Sequence, residues 1–94
     1  TAIQRAAQGA IAGAADIGED LGETAVGAVE GAIKVAGNVG TSTTDAAKEA
    51  VVGVVKGANE IGTEAVSTVR KALLSAASLP KDIVERALKG LPEK

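Results

Sequence analysis

The residues best equipped for chemistry are carboxylates. Asp16, Glu19, Asp20 and Glu23 fall within eight positions, and a helical chain that doubles back would set Glu60 and Glu64 opposite them. Paired carboxylates do general acid and base work, and clustered ones hold hard divalent cations. Neither use is expected here. No glycine-punctuated ligand loop accompanies the acids, and a pairing of small side chains offers no cleft to exclude water. Acids on the outer face of a helix are solvated, or meet bases on another molecule.

Nucleophilic chemistry is equally unprovided for. The chain has no cysteine and no histidine, so a serine or threonine would have only a lysine to activate it. No Gly-x4-Gly-Lys-Ser/Thr phosphate loop occurs, and the glycines fall in helical pattern rather than in strand-to-helix turns. Catalytic, cofactor-binding and metal residues are therefore all expected to be none, and the chain is read as a non-enzyme.

A third charged group is basic. Arg70, Lys71, Lys81, Arg86 and Lys89, together with Arg5, would lie at one end of a folded-back chain and could meet nucleic-acid phosphates. With no aromatic residue for base stacking, such contact would be sequence-blind. Residues 1–65 carry four bases against nine acids, and residues 66–94 six bases against three, so a net charge of −2 hides halves of −5 and +3. The split suits head-to-tail pairing between copies, or a basic end turned toward a polyanion.

What must position these groups is a small helical domain. A chain of 94 residues buries a modest share of its surface, and without Phe, Trp, Tyr or Met its core rests on Ala, Val, Ile and Leu. Homo-oligomerisation is expected. Absent cysteine, no disulfide framework exists and the redox compartment is unreadable. Gln4, Gln8, Asn38 and Asn59 are the only amides, which suits a thermostable protein. Thr1 opens the chain without a visible export signal and reads as a processed or trimmed start. The uncharged runs 6–15 and 35–44 each cover ten residues, about half a membrane span, so membrane insertion is not expected.

Ile11, Gly18, Ala25, Ala32 and Val39 repeat at sevens, interleaved with Ala7, Ala14, Leu21, Ala28 and Val35. This seam predicts one helix over 2–39, stopped near Asn38 and Gly40. A turn follows at 40–44, where Ser42 can cap a second helix over 45–79 by accepting from the Asp45 amide. The second seam reads Val51, Ala58, Ala65, Ala72 and Leu79 with Ala47, Val54, Ile61 and Thr68; Pro80 stops it and opens a short helix over 80–89. The fold class is thus all-α, an antiparallel hairpin of two long Ala/Gly-rich helices plus a short C-terminal helix in one domain, 1–94.

Gly9 to Gly18 and Gly53 to Gly62 match position by position as an internal repeat. Glycine within a helix costs about 1 kcal/mol relative to alanine, so Gly9, Gly13, Gly18, Gly22, Gly27, Gly31, Gly53, Gly57 and Gly62 are read as helix-packing positions for close backbone approach. In a hairpin reversing about Ser42, Gly22 would face Gly62, Gly27 would face Gly57 and Gly31 would face Gly53. Successive pairs at 9/13, 18/22 and 27/31 point to opposite sides of a helix, so several neighbours are needed.

This plan of a short Ala/Gly-rich helical chain with an acidic part, an apolar middle and a basic end resembles the major coat proteins of rod-shaped and filamentous viruses. It also resembles the helical-hairpin coat of bacilliform archaeal viruses. The resemblance implies a virion subunit that self-assembles, packs DNA against its basic end, and turns 41–44 outward, where any sugar would be O-linked because no Asn-x-Ser/Thr sequon occurs. Two other readings share the seam. One is a lipid-surface protein, since 24–34 and 46–56 resemble the eleven-residue repeats of synucleins and late-embryogenesis proteins, although the acidic polar face opposes it. The other is a closed dimeric four-helix scaffold.

Overall fold

The computed structural model describes residues 1–91. Among them every regular element is helical: α1 (Ala2–Ile17), α2 (Leu21–Val39), α3 (Thr43–Ile61), α4 (Thr63–Ser75) and α5 (Lys81–Lys89). The fold is all-α, with five helices where the seam predicts three.

The helix predicted over 2–39 breaks at Gly18. This residue takes the left-handed conformation, φ 75°, and its amide and that of Glu19 return to the carbonyls of Ala14 and Ala15. Asp20 then restarts the helix, its Oδ1 accepting from the Glu23 amide at 3.1 Å. The helix predicted over 45–79 breaks at Gly62, whose φ of 153° and ψ of 175° suit glycine alone. It also ends early, at Ser75, where the serine hydroxyl donates to the Lys71 carbonyl at 2.8 Å and competes with the backbone ladder.

The remaining boundaries follow capping chemistry. Gly40 closes α2 at φ 80°, and Ser42 accepts from the Asp45 amide at 3.1 Å to open α3. Pro80 lies just outside α5 as its N-cap, with Leu79 and Val84 buried at the positions of a hydrophobic staple.

The core is built around α3. Ala46, Ala47, Ala50, Val51, Gly53, Val54, Val55, Gly57 and Ala58 are all buried, so this helix is covered on more than half of its circumference, with Asp45, Lys56, Asn59 and Glu60 on the face left to solvent. It packs against each of the other four helices; α1 also packs on α2, and α4 on both α2 and α5. The shape measures 35 × 25 × 23 Å.

The glycine register differs from the hairpin expectation. A Cβ on Gly53 would strike the Gln4 carbonyl and come within 2.8 Å of the Ala7 Cβ, and one on Gly57 would lie 2.9 Å from the Ile11 Cβ and 3.0 Å from the Gln8 carbonyl. Because 4 and 7 meet 53 while 8 and 11 meet 57, α1 runs parallel to α3. Gly22 approaches Ala72 and Thr68 of α4 rather than Gly62, and Gly27 and Gly31 face neither Gly57 nor Gly53. The bend at Gly18 explains the change. A straight first helix has glycine faces on opposite sides, whereas folding α1 back lets one chain supply α3 with two neighbours and bury Ala7, Ile11 and Ala14.

Candidate self-association surface

An open apolar groove of about 470 Å³ lies between α1 and α2. Ile3, Ala6 and Ala10 form one wall, and Ala28, Gly31, Ala32, Val35 and Val39 the other. Its floor is Ala7, Ala36 and Ala50, all buried, and Thr41 closes one end. Among the described residues no ionisable side chain lines it. Each residue occupies its place for a helical reason: 6 and 10, and 28, 32, 35 and 39, are spaced to share one face of their helix.

The rim carries the surface's physical signature. Val35 is 61% and Val39 66% exposed, large apolar side chains left in water beside alanines and a glycine. Gly9 and Gly13 on α1, and Gly27 and Gly31 on α2, are exposed, and a Cβ at any of them would meet nothing within 4 Å. Identical motifs thus have two fates. Gly53-x3-Gly57 seats a helix of the same chain, while its repeat counterpart Gly9-x3-Gly13 faces outward. Gly18 and Gly62 shape the backbone instead, since both carry positive φ and neither has a neighbour at its Cβ position.

The acids stand on solvent-facing sides of their helices, and the bases are spread over more than one part of the surface. Asp16, Glu19, Asp20, Glu23, Glu60 and Glu64 are all exposed, and among the described residues no group of acids is gathered to hold a metal ion. Asp20 serves the backbone as the α2 cap. Of the bases, Arg70 and Lys89 line one hollow with Glu85, Leu74, Leu88 and Leu91, and Arg70 donates to the Leu91 carbonyl at 3.4 Å. Lys71, Lys81 and Arg86 are exposed on α4 and α5. Arg5 is separate, on a helix that packs against neither.

One arrangement escaped the sequence reading. Ser78-Leu79-Pro80-Lys81 has the spacing of a lysine-activated serine, yet both polar residues are exposed, and nothing among the described residues hydrogen-bonds Ser78 to Lys81. The groove walls were also missed as a unit. Their signal lay in the seam, but which small residues stay open depends on where α1 folds. Among the described residues no helix is long and apolar enough to cross a membrane. Comparison with family models, curated proteins and solved structures gives no match to this chain.

Proposed function

We propose that this chain is a non-catalytic structural subunit that assembles with copies of itself through the small-residue faces of α1 and α2. The observation that carries the reading is the uncovered groove, with Val35 and Val39 on its rim and the open Gly31 in its wall. Glycine and alanine walls let a second helix approach with its backbone close, where dispersion and apolar burial act together. The groove holds no charge that a partner would have to neutralise. A second copy supplies the matching material, because its own α1 and α2 expose the same kind of surface.

The specific form proposed is a coat subunit in a repeating homo-oligomer, in which α2 and α3, joined by three residues, act as a hairpin unit. The bases of α4 and α5, Arg70, Lys71, Lys81, Arg86 and Lys89, would neutralise a polyanion such as DNA by repetition rather than by a pocket. Sedimentation across concentration tests the assembly. The mass is expected to rise above the 9.2 kDa chain in the micromolar range. A chain that stays at that mass at millimolar concentration overturns the reading.

A further inference from the structure

We propose that copies join by exchanging α1: the connector at Gly18 straightens, α1 and α2 become one helix, and α1 of one molecule occupies the Gly53/Gly57 groove of the next. This rests on the reading of the chain as self-assembling and adds to the open face of α1 and α2 a second contact, the α3 groove with α1 of another copy as its occupant. The groove of α3 is fitted to α1 already. Gly53 and Gly57 leave no room for a methyl group beneath Gln4, Ala7, Gln8 and Ile11, so any copy offers every other copy the same seat.

Three observations point to exchange. First, α1 is tethered by only Gly18, Glu19 and Asp20, all exposed, and the bend is held locally by the Gly18 backbone and the Asp20 cap. Second, the apolar spacing of α1 continues into α2 without a slip, through Ala7, Ile11, Ala14, Gly18, Leu21, Ala25 and Ala28. A helix running straight through the connector would keep these residues on one face. Third, Ile17, immediately before the bend, is 73% exposed. Its repeat counterpart Ile61 is 44% exposed before Gly62, where phase again runs through the break.

Exchange recovers every α1 contact on a partner and adds the helical hydrogen bonds of the connector, so opening one chain is offset by closing on another. Reciprocal exchange closes a dimer; exchange passed from copy to copy builds an open array.

The test uses the full chain with two changes at the connector, sized by chromatography with light scattering and checked for helicity by circular dichroism. Gly18→Ala disfavours the left-handed bend and favours continuous helix, and is expected to raise the oligomeric fraction at least tenfold at a given concentration. Inserting Gly-Ser-Gly between Glu19 and Asp20 prevents a continuous helix while α1 still reaches its own groove, and is expected to lower the oligomeric fraction at least tenfold with wild-type helicity. If wild type assembles and both variants assemble equally well, exchange is overturned and surface packing stands. If no chain, Gly18→Ala included, exceeds a monomer, both proposals fall.

Discussion

Gly53→Ala is expected to destabilise the fold by about 1–3 kcal/mol, although alanine is the better helix former, because its methyl group would collide with the Gln4 carbonyl and the Ala7 Cβ. A backbone carbonyl cannot swing aside as a side chain can, so α1 must lift from α3. For a chain of this size the loss corresponds to a melting point lower by roughly 5–20 °C. The repeat supplies the control. Gly9 stands at the matching position and a Cβ there meets nothing within 4 Å, so Gly9→Ala is expected to stabilise by about 0.5–1 kcal/mol. Thermal unfolding of the two variants should thus shift in opposite directions. Equal shifts would mean that α1 does not sit on the Gly53/Gly57 face.

Gly31→Glu is the second large effect, and it separates assembly from folding. The side chain would leave α2 into open space, and the monomer should melt within a few degrees of wild type, helped slightly by the loss of a helical glycine. In an assembly the carboxylate would lie in a groove whose lining offers no base. Burying such a charge unpaired costs several kcal/mol, which predicts association weaker by at least about a hundredfold. Asn38→Glu adds the same charge to the same helix outside the groove lining, and sedimentation should show it assembling nearly as wild type does. Equal association of the two variants would remove the groove from the interface.

How much of this was legible in the sequence depends on whether the signal was local. The caps at Ser42, Gly40 and Pro80 were readable because each acts within a few residues. The break at Gly18 had a signal as well: a glycine, then Asp20 three residues before Glu23, the order in which one helix ends and another begins. It competed with an apolar seam that runs straight through it, and the seam describes a longer helix equally well. Gly62 offered less. No side chain caps α4, and the only hint was its equivalence to Gly18 in the repeat.

The candidate site was legible in kind rather than in place. Gly53 and Gly57 do mark close approach, but assigning them partners required knowing that α1 folds back parallel to α3. The same bend decided which glycines remain uncovered. The groove walls therefore became visible only with the tertiary packing, although each residue in them already belonged to an apolar stripe.

We propose that this chain builds repeating assemblies through the open face of α1 and α2. Negative-stain microscopy of the purified wild-type chain in near-physiological salt, beside Gly31→Glu and with light scattering on both samples, tests it most directly. Rods or filaments of one width are expected for wild type and only small particles for the variant. A uniform monomer, or a closed dimer or tetramer that Gly31→Glu leaves intact, would contradict it.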